Sequence, residues 1–248
     1  MKIHGSKGII DLDDIEPGDI ELKDIAGSLS RQARFNGNGK GKISVAQHCI
    51  VGATAIAGGT GNYPAALWFL LHDAHEAYTG DIITPMKQRI ISTALSSSDP
   101  IGDLQDKLDD AISRKLFFDF DFHAVKTTDW YQSVKDLDKF LAKYEAARLF
   151  PYVERPTNTV GLCSEPVSQI AACIYNGGDI SGAITTGRFI PSHVKDLPWR
   201  QKADLVLRHP ALRKNSILFL EEKEVETLYI NLYQALYAAA AIRMTEQS

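Results

Sequence analysis

The chain has 248 residues, 44% of them hydrophobic, so it can form one large domain or two small ones with a buried core. Its 27 basic and 31 acidic residues give a formal charge of −4, which argues against the basic face that general nucleic-acid binding requires. The three cysteines form no CxxC pair, and neither a signal core nor a membrane-spanning run is visible. These features predict a soluble cytoplasmic protein with reduced thiols.

Hydrophobic spacing predicts mainly helices after a turn-rich start over residues 1–20. The helices are expected at residues 22–33, 45–57, 64–80, 101–116, 124–149 and 221–244, with two short ones beginning near Pro166 and Pro198. Ser44 is a suitable N-cap, and the small residues that follow it, such as Gly52, allow close approach by another helix. Residues 34–42 are rich in glycine and predict a flexible surface loop. No β alternation is sustained, so the predicted class is all-α.

The stretch from His72 to Asp81 concentrates the ionisable residues of the chain. On the predicted helix His72 and Glu76 share one face, and Asp73 lies about 100° around from His72. Asp81 falls just past the helix end, where a loop can bring it back. Four ionisable groups directly after an apolar run are costly to bury unless something compensates them, and a divalent metal ion would do so.

Two more polar residues, His48 and Asp138, lie on or beside inward faces of their predicted helices. Taken alone, His48 is more typical of a hydrogen-bonded core residue, and Asp138 of a solvated helix edge. Together with His72 and Asp73 they supply two imidazoles and two carboxylates, with no thiolate, a set that suits Mn, Co, Fe, Zn or Mg. Such an ion activates water and contacts a phosphoryl oxygen as a Lewis acid. Glu76 is placed to handle a proton.

The order His…His-Asp…Asp resembles that of the HD-domain metal-dependent phosphohydrolases. Ser-Val-Ala-Gln-His48 is similar to the first-ligand helix of the bacterial 5′-deoxynucleotidases and their phage-encoded relatives. Their central motif resembles His72-Asp73-x-x-Glu76-x-x-x-Gly80-Asp81-x-x-Thr84-Pro85-x-Lys87. The stretch from Val134 to Asp138, with Glu145 beyond, resembles the helix of their last ligand. The resemblance covers roughly residues 8–149 and, weakly, 216–240.

This resemblance implies an all-α HD-domain helical bundle with a C-terminal helical extension. Residues 1–149 would form the phosphohydrolase core, 150–215 a helical insertion or extension of unknown role, and 216–248 a closing helix packed on the core. The implied ligands of one divalent metal ion are His48, His72, Asp73 and Asp138. The implied catalytic residues are Glu76, at the attacking water, and Asp81, at the leaving oxygen or the sugar.

The implied substrate contacts are Arg34, Phe35, Thr84 and Lys87. Arg34 would contact the phosphate or the sugar, Phe35 the sugar or the base, and Lys87 the phosphate. Arg31, one turn earlier, is a rival to Arg34. His75 departs from the family pattern. An imidazole there could donate a proton to phosphate, but we expect it to be exposed or to lie behind the ligands.

The resemblance implies hydrolysis of 2′-deoxynucleotides, with a 5′-deoxynucleotidase that converts dNMP to deoxynucleoside and phosphate as the leading hypothesis. The alternative is a dNTP triphosphohydrolase acting on a dATP-like substrate, which needs more cations. Its candidate cations are Arg31, Arg34, Lys40, Lys42, Lys87 and Arg89. A non-catalytic nucleotide-binding regulator is a further alternative, and alarmone hydrolysis fits the motif less well. The expected partner is a small deoxynucleotide, without a nucleic-acid polymer or a membrane, and a homo-oligomer stays open.

Overall fold

In the computed structural model, the described residues are 1–93, 99–154, 156, 165–176 and 217–246. The short helix predicted near Pro198 therefore lies outside the described residues, as does Cys163. Within them the chain is mainly helical, so the predicted all-α class is confirmed. None of the described helices combines the length and the apolar character that crossing a bilayer requires.

The turn-rich start of the chain forms a small antiparallel hairpin, β1 (Lys2–Gly5) and β2 (Gly8–Asp11). Ten helices follow it in the described part of the chain. They are α1 (Leu22–Arg31), α2 (Val45–Thr60), α3 (Tyr63–Leu71), α4 (Glu76–Thr79), α5 (Thr84–Thr93), α6 (Pro100–Leu116), α7 (Phe122–Lys126), α8 (Tyr131–Leu149), α9 (Glu165–Asn176) and α10 (Glu222–Glu246). The helix predicted near Pro166 is α9, and the helix predicted at the C-terminal end is α10.

Helix α2 lies at the centre of the core, in contact with α1, α3, α8, α9 and α10. It begins at a capping box in which the Gln47 backbone N–H donates to Oγ of Ser44 (3.1 Å) and the Ser44 N–H donates to Oε1 of Gln47 (2.7 Å). The residues of α2 from Val45 to Gly58 are all buried. Because neighbours surround this part of α2, its polar side chains from Val45 to Gly58 face other protein groups rather than water.

The long helix predicted over residues 64–80 is wrong, because the chain breaks it into α3 and α4 with a turn at residues 72–75. Ala74 N–H donates to the Leu71 carbonyl (2.8 Å), and Glu76 N–H donates to the Asp73 carbonyl (3.0 Å). These i→i+3 bonds wind the turn more tightly than an α-helix and nearly eclipse side chains three residues apart. Glu76 therefore lies over Asp73 rather than over His72.

Close packing of α2 against α3 depends on Gly52, as the run of small residues predicts. A Cβ built at Gly52 would lie 2.0 Å from Cε1 of Phe69, a distance that no repacking of the ring alone relieves. At Gly27 in α1, by contrast, the nearest atom to an added Cβ is 3.5 Å away. The two buried helical glycines thus differ in the space they leave.

Gly52→Ala should lower the free energy of unfolding by about 1–3 kcal/mol, because overpacking outweighs the gain in helix propensity. The matched variant Gly27→Ala should raise the free energy of unfolding by about 0.5–1 kcal/mol, since alanine has the higher helix propensity and meets no close neighbour there. Urea denaturation of both variants measures the two changes. Equal effects of the two substitutions would contradict the close contact at Gly52.

Candidate metal centre

Three helices bring imidazole and carboxylate groups to one point. Nε2 of His48 from α2 lies 3.3 Å from Oδ1 of Asp138 on α8. Nε2 of His72, which caps the C-terminal end of α3, lies 3.7 Å from the same oxygen. Atoms bound to one ion at about 2.1 Å lie about 3–4 Å apart, so these three side chains could hold a metal ion together.

Asp73 adds a fourth group to this cluster. Its Oδ1 lies 3.1 Å from Nε2 of His72, and its Oδ2 lies 3.9 Å from Nε2 of His48. The tight turn after α3 is what lets the adjacent residues His72 and Asp73 approach one point. The structure therefore brings together all four residues that the sequence assigned as ligands.

The second nitrogen of each imidazole fixes the orientation of its ring. Nδ1 of His48 lies 2.8 Å from Oε1 of Glu145, and Nδ1 of His72 donates to the Phe69 carbonyl at 2.7 Å. Both Nε2 atoms are buried and make no hydrogen bond within the described residues. An imidazole that donates through one nitrogen and leaves the other unpaired next to carboxylates has the arrangement of a metal ligand.

The electrostatics of the cluster favour ionised carboxylates. Burial opposes ionisation of Asp138 and Asp73, but neighbouring imidazoles hold the pKa of both groups below its usual range. Burial and Arg34 lower the pKa of His48, yet Glu145 and Asp138 outweigh them and raise it to about 9. The metal-free centre thus keeps positive charge among its carboxylates, the role that a cation would take over.

Cys49 is a thiol close to the same point. A second combination of groups, Cys49 with His72 and Asp73, also has ligand atoms within 4.8 Å of one another. Burial, and then Asp73, raise the pKa of the Cys49 thiol well above its usual value. Because only the thiolate is a good ligand, the protonated thiol is a poorer candidate than Asp138.

The two predicted catalytic carboxyls, Glu76 and Asp81, lie at the mouth of the centre. Both line a cleft of about 530 Å³ that also contains His72, Asp73 and Asp138. Burial, followed by Asp73 and Asp81, raises the pKa of Glu76 to about 10, and burial also raises that of Asp81. Oε2 of Glu76 is buried without a hydrogen bond among the described residues, so no protein group there fixes its protonation state by hydrogen bonding.

Three of the predicted substrate contacts, Arg34, Phe35 and Lys87, line the cleft. Thr84 begins α5, and its side chain lies outside the part of the chain that the structure describes. Of the six cations named for a triphosphate, only Arg34 and Lys87 line this cleft, and Lys135 on α8 joins them. Arg31 is exposed outside the cleft, and Lys42 pairs with Glu222 at 2.9 Å.

The loop predicted as a flexible surface segment begins with a short 3₁₀ helix, Arg34–Gly37. Phe35 (φ 55°) and Asn36 (φ 58°) both adopt the left-handed conformation, which costs non-glycine residues about 1–3 kcal/mol each. The Phe35 ring packs edge-on against Phe150 with centroids 5.8 Å apart. This strained turn holds Arg34 and Phe35 against the cleft.

Arg34 contacts the acidic residues of the centre itself. Its Nε lies 2.6 Å from Oε2 of Glu145, in an ion pair rather than an aligned hydrogen bond, and its Nη1 lies 3.6 Å from Oδ2 of Asp73. The side chain is only 14% exposed. The predicted substrate arginine thus also contacts the candidate metal centre.

Sequence reasoning missed two features of the site. Glu145 is completely buried and contacts His48, although its position seven residues after Asp138 places both on one face of α8 and could have indicated it. His75 is not exposed: its Nδ1 lies 2.9 Å from Oδ1 of Asp109, and both residues line the cleft. The expectation that His75 is exposed is therefore wrong, and a position behind the ligands stays a prediction, since the partner of His75 is Asp109 rather than a proposed ligand.

Comparison with known proteins finds an uncharacterized protein of Rhodobacter capsulatus that is 31% identical over 162 residues, covering 64% of this chain and 77% of that protein. The chain belongs to the family of this protein. It is also similar to the uncharacterized protein YfdR of Escherichia coli, at 40% identity over 76 residues that cover 31% of the chain and 40% of YfdR. The sequence matches no model of a known protein family. Function is therefore inferred from the geometry of the centre.

Metal-depleted protein should gain about 2.7 kcal/mol of stability from a divalent ion at 100 times its dissociation constant, because the folded state alone assembles the ligands. Asp138→Ala should lose this gain. Thermal unfolding with and without Mn²⁺ or Co²⁺ measures it. The control variant is Asp136→Ala. Asp136 is on the same helix but pairs with Lys139 outside the centre, so this variant should still gain stability from the ion. If both variants respond like the unmodified protein, Asp138 is not a ligand.

Proposed function

We propose that the chain is an HD-domain metal-dependent phosphohydrolase that acts on 2′-deoxynucleotides, with a deoxynucleoside 5′-monophosphate as substrate. The observation that carries the proposal is the convergence of His48, His72, Asp73 and Asp138, with two Nε2 atoms that make no hydrogen bond among the described residues. Beside them lies a cleft lined by three further carboxyls, Glu76, Asp81 and Asp109, and by three cations. These four groups would hold one divalent ion, Co, Mn, Zn, Fe or Mg. When bound, such an ion polarises a phosphoryl oxygen and lowers the pKa of a water.

Glu76 and Asp81 are the groups that move protons in this proposal. With its pKa at about 10, Glu76 holds a proton in the metal-free protein, and a nearby cation favours its ionised form. As a carboxylate it accepts the proton of the water that attacks phosphorus. Asp81, whose pKa burial raises, donates a proton to the 5′ oxygen as the bond from phosphorus to that oxygen breaks.

The charge of the cleft favours a monophosphate over a triphosphate. Among the described residues its lining cations are Arg34, Lys87 and Lys135, and Arg34 is already paired with Glu145 and Asp73. Two remaining lysines can balance one phosphate group, whereas a triphosphate carries about twice that charge. The cleft volume is in the range of small-molecule sites. Phe35, Phe122 and Tyr131 on its wall offer surfaces to a sugar or a base.

Metal-replete protein should release orthophosphate from dNMP and leave dNDP and dNTP largely intact. The assay incubates the three substrates side by side and identifies the phosphate product by ³¹P nuclear magnetic resonance. Release of triphosphate from dNTP would contradict the monophosphate assignment and support the triphosphohydrolase. Absence of turnover with any substrate, in protein shown to contain metal, would contradict the hydrolase itself.

Asp73→Ala should abolish both metal binding and turnover, because it removes a proposed ligand. Glu76→Ala should leave the metal bound and lower kcat by roughly 10²–10⁴, the usual contribution of a positioned proton-transfer group. Metal content is measured by mass spectrometry on the same preparations that are assayed. Equal loss of metal in both variants would mean that Glu76 is a ligand rather than a base.

A further inference from the structure

The carboxylate of Glu145 joins three elements behind the metal centre. Its Oε1 lies 2.8 Å from Nδ1 of His48 and also accepts a hydrogen bond from the hydroxyl of Tyr175. Its Oε2 lies 2.6 Å from Nε of Arg34. The side chain is completely buried, so these contacts with protein groups take the place of water around the carboxylate.

The two oxygens of Glu145 serve different groups. Oε1 acts on His48, because a carboxylate that accepts from Nδ1–H fixes the tautomer and makes Nε2 a stronger ligand. Oε2 acts on Arg34, whose other end reaches Asp73, a second proposed ligand. Two of the four ligands are therefore connected through one carboxylate and one guanidinium.

Tyr175 comes from α9, a part of the chain in which the sequence indicated no functional residue. Helix α9 packs against α2 and α8, and the ring of Tyr175 stacks on Tyr144 with centroids 5.8 Å apart. Gly59 on α2 permits the close approach, since an added Cβ there would lie 2.7 Å from Cγ2 of Val167. Packing of α9 thus sets the position from which the hydroxyl reaches Glu145.

We propose that Glu145 is a positioning residue that orients His48 towards the metal ion and Arg34 towards the cleft, and that Tyr175 holds its carboxylate in place. The inference rests on the proposed metal centre. It makes α9 a functional part of that centre. Because one carboxylate serves a ligand and a cation of the cleft, metal binding and phosphate binding are energetically coupled, and the coupling is reciprocal.

The test compares Glu145→Gln and Tyr175→Phe with the unmodified protein, using Co²⁺ alone as the probe. Glu145→Gln should weaken Co²⁺ binding by about 10–100-fold, the usual effect of losing the group that orients a ligand, and should shift the visible absorption of bound Co²⁺. Tyr175→Phe should act in the same direction with a smaller loss, up to about tenfold. Calorimetric titration gives the affinity, and absorption reports the ligand geometry independently of activity.

A control variant separates loss of this contact from general loss of a tyrosine hydroxyl that donates a hydrogen bond. Tyr233→Phe removes a hydroxyl that donates to the Leu116 carbonyl at 3.1 Å, and it should leave Co²⁺ affinity and spectrum unchanged. Inorganic phosphate, added to the Co²⁺-loaded proteins, tests the coupling: Co²⁺ should strengthen phosphate binding less in Glu145→Gln than in the unmodified protein.

The outcomes distinguish failure of this inference from failure of the proposed function. If the unmodified protein takes up no Co²⁺ or other divalent ion, the metal centre itself is wrong. If it binds Co²⁺ and Tyr175→Phe and Glu145→Gln bind it with the same affinity and spectrum, the positioning role is overturned. Should Glu145→Gln fail to fold, because Arg34 is left buried without its counter-charge, Tyr175→Phe alone decides, since it deletes only one hydroxyl.

Discussion

The structure depends on how the protein compensates ionisable groups that it removes from water. His48 is completely buried on α2, the helix with neighbours on every side, and its Nε2 has no hydrogen-bond partner within the described residues. An unpaired polar atom in such a place costs about 1–3 kcal/mol, more if it is charged. The imidazoles and the carboxylates of Asp73 and Asp138 reduce that cost for one another. A divalent cation would remove it by occupying the point on which they converge.

The buried groups of the centre are themselves held by groups farther from it. Glu145 holds His48 and Arg34, and the packing of α9 in turn holds Tyr175 against Glu145. A group such as Tyr175 would therefore affect the direction of a proposed ligand's lone pair through rigid contacts rather than through net charge. The strained turn at Phe35 and Asn36 acts in the same way, because it fixes the backbone from which Arg34 reaches inward.

Much of the helical fold could be predicted because its signals are local. Ser44 and Gln47 supply a capping box, and small residues on α2 admit Phe69. The order of histidines and aspartates places the proposed ligands on α2, at the end of α3 and on α8. The break after α3 could not be predicted from periodicity, since it arises where Nδ1 of His72 donates to the Phe69 carbonyl and the winding tightens. The contact of Tyr175 with Glu145 joins residues 30 apart through packing that no local pattern encodes.

The break after α3 also explains why the nearby carboxyls of Asp73 and Glu76 differ in pKa. In a continuous α-helix Glu76 would have both His72, four residues before it, and Asp73, three residues before it, as neighbours, with neither of them eclipsed. The tighter turn puts Glu76 over Asp73 instead, and burial together with that neighbouring charge raises the pKa of Glu76 while the imidazoles keep Asp73 ionised. One carboxyl is then a permanent anion suited to hold a cation, and the other retains a proton until a cation arrives. The same turn geometry would thus separate the proposed ligand Asp73 from the proposed proton acceptor Glu76 within four residues of chain.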